Sequence, residues 1–407
     1  MLTPLEAARE AVFSHLPEPE IEDVSVAAAG GRYLAADVTA DRELPPADRS
    51  AMDGFAVRAA DIALPPAVLR CVAEVAAGSD ARPEVASGTC VKIFTGANVP
   101  PGADTVAIVE ETEEAGEGMF RFLASTALGR NIRRKGEDAP RGRVLLEKGT
   151  RLGGSQISAC AAVGADPVRV YRVPSVAVLS TGAELRDPSD DVLPHEIRNS
   201  NGPALIAALG QVGVFEALDL GGVEDDLEAI RTRIVEGVER CSALIVTGGV
   251  SKGDYDLVPA AVEAAGLRIH LHGVRMKPGK PFLFATAGRD APVFALPGNP
   301  LSVLASFWEL VAPALLAMMG DPEHDVWRVP ARLTEEVAVR GDRTVLLPVH
   351  LYADREGEGF MATPVRDRSS ADLAAGARAN GTVKLEPDEG PFPALSLVEA
   401  HPWARPL

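Results

Sequence analysis

The chain has 407 residues, 46% of them hydrophobic and 24% charged, with a formal net charge of -18. That length exceeds what one hydrophobic core usually supports, so about two to four domains are expected in a soluble globular chain. The acidic balance excludes a general nucleic-acid binder, which neutralises phosphates with a basic face, so any anionic ligand must find a local basic pocket.

The opening segment MLTPLEAAREAVF reads as an amphipathic helix with acidic residues, and it carries neither the basic start nor the apolar stretch of a signal peptide. Residues 1–44 and 147–174 have mixed character and are expected to form one mixed α/β unit interrupted by residues 45–146. That insertion is rich in Gly, Pro and short alternating runs such as VKIFTG and DTVAIVEE, with a hairpin turn at EEAGEGMF, and predicts a β-rich domain. Within it, LPPADRSAMDGFAV places the Asp53 carboxylate on a tight turn, and FTGANVPPGAD sets Thr95 before the flexible Gly96. The run GRNIRRKGED is basic and is accounted for by a solvated face. Cys71, Cys90, Cys160 and Cys241 lie far apart, without zinc-site spacing or disulfide density, and read as reduced core thiols of a cytoplasmic protein.

Residues 175–325 alternate short apolar strands with helices: SVAVLSTG, NGPALIAALGQVG, DDLEAIRTRIVEGVER, SALIVTGG, LVPAAVEAAG, PVFALPG and PLSVLASFWELVAPALLAMM. This pattern predicts a central doubly wound α/β domain with a parallel sheet covered on both faces. Ligands of such sheets bind at the carboxyl ends of the strands. The first strand delivers Thr181, Gly182 and Glu184 there, which a turn glycine and a solvated Glu explain equally well. Asp225 and Asp226 are likewise either site carboxylates or an N-cap and its neighbour.

The stretch TGGVSKGDYD is denser than a turn requires. Gly248 and Gly249 permit close backbone approach, Ser251 offers donors to an anion, and Lys252 adds a positive charge. Asp254 and Asp256 beside an anion then call for a hard cation such as magnesium, held by one or two carboxylates and by phosphate oxygens. His270 and His272 share one strand face but lack a third ligand, and read as ordinary strand histidines. In RMKPGKP a proline-stiffened turn gathers Arg275, Lys277 and Lys280 into a positive patch suited to an oxyanion. ALPGNPLSV then brings Pro297 and Gly298 to a strand end and opens a helix with Asn299 as cap and Pro300 at its first turn, where free amides can hold a phosphate. The capping role by itself accounts for Asn299. LVAPALLAMM, at residues 310–319, is too short to span a bilayer. From residue 326 onward, VPARLTEEVAV, TVLLPVHLYA, FMATPV and GTVKLEP read as successive strands of a C-terminal β barrel. No P-loop, nucleophile-elbow or zincin motif is present.

SAMDGFAV, IFTGANVPPGAD, NIRRKGED, STGAEL, TGGVSKGDYD, MKPGKP and LPGNPLS, in this order over essentially the whole chain, resemble the molybdopterin molybdenumtransferases, the MoeA-like and gephyrin E-domain family. The resemblance implies a central MogA-like molybdopterin-binding domain and a magnesium-dependent reaction in which adenylylated molybdopterin and molybdate become molybdenum cofactor with release of AMP. It also implies an elongated homodimer, its site between the central domain of one subunit and the inserted domain of the other. By motif, Asp53 and Thr95 come from the inserted domain. Glu184, Asp225, Asp226 and Asp256 come from the central one, with Asp256 and Glu184 as metal ligands. Lys277 and Lys280 fall to molybdate, with Arg343, Ser369 and Ser370 as further candidates from the last domain. The chain departs from the family pattern at Arg49, where Asn is frequent, at Phe55, where Tyr is usual, and at Pro348, where a second Arg is common. DRSSADLAAGARANG also lacks the expected glycine-serine-glycine pattern. A molybdopterin adenylyltransferase shares the central fold but usually lacks the flanking domains, and a scaffold would not need every acidic site residue.

Overall fold

Ser175–Thr181 and Ala243–Thr247 are buried along almost their whole length, so each needs a covering layer on both faces. The computed structural model, which describes residues 2–251, 256–288, 291–325, 327–354, 357, 359–366, 369–387 and 389–403, supplies both layers. Alternate side chains of one strand enter different cores. Val176, Val178 and Ile245 pack with Leu205 and Leu209 of the helix Asn201–Val212 and with Val303 and Phe307. Ala177, Leu179, Leu244 and Val246 pack on the other face with Ile230 and Ile234 of Leu227–Arg240 and with Val258 and Val262 of Val258–Ala264.

The chain divides into two compact units, one made of Met1–Ala35, Gly149–Gly153 and Pro167–Leu407, the other of Ala36–Lys148 and Gly154–Asp166. In the first, the central sheet has the order Glu216–Val223, Ser175–Thr181, Ala243–Thr247, Ala291–Leu296, Leu283–Ala287, Arg268–His272. The first four strands are parallel, whereas Leu283–Ala287 runs antiparallel to both its neighbours. The expected all-parallel sheet is therefore a mixed one. The reason is local: Leu283–Ala287 and Ala291–Leu296 are joined too closely for a crossover and can only form a hairpin. The N-terminal helix Leu5–Phe13 contributes Leu5, Ala8 and Val12 to the first core, and Ile21–Val24 pairs antiparallel with Val168–Tyr171.

The helix that begins at Pro300 continues through a π-helical turn, Phe307–Val311, to Met318. Its length and apolar composition would suffice to cross a membrane, which corrects the shorter reading of LVAPALLAMM, but it is a buried core helix. Its one carboxylate, Glu309, is fully buried on the π turn. Arg328 Nη2 lies 2.9 Å from Oε2, His401 Nδ1 3.2 Å from Oε1, and Arg9 Nη1 donates to the Glu309 carbonyl at 3.3 Å. Burial alone would raise the Glu309 pKa, but the hydrogen bond and charge of His401 and the charges of Arg328 and Arg9 outweigh it and hold it at about 2. One carboxylate thus joins the N-terminal helix, the central domain and the C-terminal domain.

The C-terminal strands Val329–Leu333, Thr344–Ala353, Phe360–Pro364, Gly381–Leu385 and Leu397–Pro402 close into a five-stranded barrel, as expected. Alternate residues Val329, Ala331, Leu333, Val349, Leu351, Val383 and Leu385 fill it. Met276–Lys277 adds to the Thr344–Ala353 strand, so the lysine-bearing turn is anchored on the barrel.

The second unit is β-rich, as expected, with a six-stranded sheet ordered Thr105–Ile108, Gly54–Val57, Thr89–Ile93, Ala67–Val75, Met119–Phe122, Thr112–Glu114. The hairpin at EEAGEGMF forms, with Ala115 N donating to Met119 O at 2.8 Å. Gly54 lies so close to the neighbouring strand that a Cβ there would sit 1.9 Å from the Ala107 carbonyl oxygen. All four cysteines are free thiols.

Candidate functional site

Parallel strands end at one edge of the sheet, and that edge collects most of the sequence-predicted residues of the first unit. Thr181 closes its strand only 4% exposed, and its Oγ1 is a buried hydroxyl without a partner. Gly248 and Gly249, both at positive φ, pack directly on it: a Cβ on Gly248 would meet the Thr181 carbonyl oxygen at 2.3 Å, and one on Gly249 would meet Oγ1 at 3.0 Å. The glycine pair is required here for close approach as well as for the turn.

After Thr181 the chain bends at Gly182, and the exposed Glu184 carboxylate folds back over it, with Oε2 2.8 Å from where a Gly182 Cβ would lie. Ala183 N donates to Asp225 Oδ2 at 3.2 Å, tying the loop after the first strand to the loop after Glu216–Val223. Asp226 has a different job: its Oδ1 accepts from Ala229 N at 2.9 Å and caps Leu227–Arg240. The two adjacent aspartates, ambiguous in sequence, are thus divided into a cap and a carboxylate that faces the strand-end loops.

The Pro297–Pro300 turn lies on the same edge. Thr247 Oγ1 donates to Pro297 O at 3.1 Å, Gly248 N donates to Leu296 O at 3.1 Å, and a Cβ added to Gly298 would lie 3.6 Å from Gly248 Cα. Pro300 opens the helix, but Asn299 does not cap it with its side chain. Its Nδ2 donates instead to Ser370 Oγ at 2.9 Å, and Ser370 O accepts from Leu301 N at 3.2 Å. The capping account of Asn299 is therefore corrected, because a partner from the barrel domain, distant in sequence, takes the amide. Ser370 comes to this edge by that route. Ser369 is exposed beside it and accepts from Ala371 N at 3.3 Å, while Arg343 is half-buried ahead of the barrel strand Thr344–Ala353.

Ser251 is exposed and Asp256 half-buried, while Lys252 and Asp254 lie outside the described residues. Lys277 and Lys280 are both exposed on their turn, which is closed by Val274 N donating to Lys280 O at 2.8 Å. Gly279 between them is fixed at positive φ against Met276 and the buried Ser306. His270 bonds Thr286 Oγ1 at 2.8 Å and His272 bonds the Val250 carbonyl at 3.0 Å, as strand histidines do. Among the described residues no group of three His, Cys, Asp or Glu is gathered tightly enough to hold a metal by itself.

In the second unit Asp53 and Thr95 meet directly. Thr95 N and Thr95 Oγ1 both donate to Asp53 Oδ1 at 2.7 Å, and the backbone donor above all holds this exposed carboxyl below its usual range. The two donors thus favour the ionised form of this carboxyl.

Sequence reasoning passed over Asn199 and Asn201. Asn199 Oδ1 accepts from Gly202 N at 3.0 Å and from Ser180 Oγ at 3.2 Å; Asn201 Nδ2 donates to Thr247 Oγ1 at 3.1 Å and to Gly298 O at 2.7 Å. The signal was the polar run RNSNG at a helix start, which capping explains too easily.

Three family models match consecutive parts of the chain: "MoeA N-terminal region (domain I and II)" over residues 3–164, "Probable molybdopterin binding domain" over 177–317 and "MoeA C-terminal region (domain IV)" over 330–403. The chain is 34% identical to a molybdopterin molybdenumtransferase of Bacillus subtilis, with 94% of this chain and 90% of that one covered. It is 37% identical to one from Nostoc, covering 78% and 76%. The crystal structure of a molybdopterin biosynthesis MoeA protein from Pyrococcus horikosii superimposes with a TM-score of 0.83 at 32% identity, covering 99% of each chain. With the strand-end site, the closed C-terminal barrel and these full-length matches together, the chain belongs to the MoeA family of molybdopterin molybdenumtransferases, transferases of molybdenum cofactor biosynthesis.

Proposed function

We propose that this chain inserts molybdate into adenylylated molybdopterin in the cytoplasm, releasing AMP, and that it does so as a magnesium-dependent homodimer. The observation that carries the reading is the strand-end edge. Glycine-lined turns at Gly248, Gly249 and Gly298 stand beside a helix start, with Asp225, Glu184 and Asp256 on the surrounding loops. Backbone amides at such turns suit phosphate oxygens, and carboxylates beside them suit a cation shared with those oxygens.

The donor set fits magnesium. Among the described residues it consists of hard carboxylates not gathered in a group of three, and magnesium is usually completed by substrate phosphate and water. Asp256 and Glu184 would hold it, and when bound it would neutralise charge on the pyrophosphate. Thr181, Gly182, Ser251 and the Pro297–Pro300 turn would orient the nucleotide end. Lys277 and Lys280 would hold molybdate, a tetrahedral dianion, on a turn already fixed by the barrel, with Ser369, Ser370 and Arg343 as its further contacts. Asp53, held by its two Thr95 donors, would supply a further carboxylate.

The test is AMP release from adenylylated molybdopterin by the purified chain, with molybdate and magnesium each varied. Release that depends on both supports the proposal. Accumulation of adenylylated pterin from ATP and molybdopterin instead would make the chain an adenylyltransferase, and binding of the adenylylated pterin without turnover would leave it a scaffold.

A further inference from the structure

Asn201 stands at the first position of its helix with a side chain whose orientation is fully determined. Gly298 O, 2.7 Å away, is a carbonyl and can only accept, so the Asn201 nitrogen and not its oxygen faces it. Thr247 Oγ1 spends its own proton on Pro297 O, so toward Asn201 Nδ2, at 3.1 Å, it too accepts. Both amide hydrogens are committed, one to each of two turns. These are the turns that begin at Thr247 and at Pro297, and among the described residues, beyond the strand ladder, they are joined by hydrogen bonds through Thr247, the Gly248 amide and this side chain. The Pro297–Asn299 turn is otherwise drawn the other way, through Asn299 to Ser370 of the barrel domain.

We propose that Asn201 is a positioning residue for the nucleotide end of the substrate, holding the Gly298 turn in register with the Gly248 turn so that both border one anion site. The inference rests on the strand-end edge being the nucleotide site and goes beyond it in assigning the residue that sets its width. An alanine at 201 removes the tie from Gly298 itself, leaving Pro297 held to Thr247 while Asn299 is still drawn to the barrel loop. An aspartate, equal in size, turns two donors into a charged acceptor facing the Gly298 carbonyl and stands beside the incoming phosphate. Lowering the pH returns a proton to that aspartate and with it one donor.

The experiment measures binding of AMP and of adenylylated molybdopterin by calorimetry to native, Asn201→Ala and Asn201→Asp chains, each shown to be folded by urea titration. The alanine is expected to weaken both ligands by about tenfold, and the aspartate by on the order of a hundredfold at pH 7.5, with part of that loss regained relative to the native chain at pH 5.5. The molybdate concentration for half-maximal turnover stays unchanged in both. Should the alanine chain fail to fold, Asn201→Ser, too short to span the gap to Gly298 O, replaces it with the same expectation. Native-like binding by folded alanine or serine chains overturns the inference, as does an aspartate whose loss is independent of pH. A native chain that binds neither ligand overturns the functional reading itself, so the two failures are distinguishable.

Discussion

Replacing Glu309 by Gln keeps the size of the side chain and removes its charge, leaving Arg328 and Arg9 facing a neutral amide in the core. The cost can be reached in two ways. Breaking a buried ion pair by removing one partner costs about 3–5 kcal/mol, because the remaining charge stays buried. Independently, a fall in the Glu309 pKa from 4.5 to about 2 corresponds to roughly 3 kcal/mol of preference of the folded state for the ionised carboxylate. The folded value lies below the unfolded one, so this stability is fully present above pH 4.5 and is lost as pH falls towards 2. The native chain loses it over that interval and Glu309→Gln has nothing to lose, so the gap between them should be full at pH 7 and closed near pH 2.

The chain reports on this region by itself, since its three tryptophans, Trp308, Trp327 and Trp403, all belong to the unit that contains Glu309. Trp308 is its neighbour in sequence, and the Trp308 ring stands edge-on to His401 with centroids 6.1 Å apart. Urea titrations followed by tryptophan fluorescence at pH 7, 5, 4 and 3 should show a lower midpoint with an unchanged slope for Glu309→Gln at pH 7, converging on the native value with acid. Glu236→Gln, which breaks the partly exposed pairs with Arg233 and Arg240 on the helix Leu227–Arg240, should move the midpoint far less. An unchanged midpoint for Glu309→Gln at pH 7, or a gap that persists undiminished to pH 3, would refute the reasoning.

Asp226→Ala should lower stability by about 1 kcal/mol through loss of the helix cap and keep turnover, whereas Asp225→Asn should keep the thermal midpoint and lower turnover; the reverse pattern would exchange their roles. Lys277→Ala and Lys280→Ala should each raise the molybdate concentration for half-maximal turnover by about tenfold, near 1.4 kcal/mol, with little change in adenylylated-pterin affinity measured without molybdate. Loss of pterin affinity with the molybdate dependence intact would assign the lysines to phosphate. Asp53→Ala and Asp256→Ala chains, each inactive, should regain activity after mixing and subunit exchange if the working form is a homodimer. No recovery after verified exchange would place both residues in the same subunit's site.

Much of the fold was legible because it follows from local chemistry. Continuous apolar runs ending in glycine announced the central strands, alternation announced the barrel, and the Gly-Gly and Pro-Gly-Asn turns marked one edge of the sheet. What escaped was set by distant partners. Leu283–Ala287 has the same buried composition as the parallel strands of the sheet, so its direction is decided by the short link to Ala291–Leu296 and not by its residues. Asn299 occupies a cap position by every sequence criterion, yet Ser370, far along the chain, takes its amide. Asn201 was hidden by the same ambiguity, since a polar residue at a helix start already has a sufficient explanation. Glu309 lay unremarked inside an apolar stretch, because its partners come from residues 9, 328 and 401.

The strand-end edge is held together by backbone approach more than by charge. Its spacing is inherited from the sheet: the register that pairs Ser180 with Thr247 and Thr247 with Leu296 fixes where the next residue of each strand must stand. Gly248 can follow Thr247 at φ +96° and lie against the Thr181 carbonyl only because it has no Cβ, and Gly249 repeats the condition at φ +61°. An ion pair at this edge could stretch by an ångström at little cost, since its energy falls slowly with distance, whereas a carbonyl packed on a Cα cannot move without disturbing the ladder behind it. The glycines and the two asparagine amides, Asn201 and Asn299, therefore set the geometry. The carboxylates proposed to act, Glu184, Asp225 and Asp256, sit on the loops that leave the edge, where they can adjust to a ligand and its cation without disturbing the sheet that positions them.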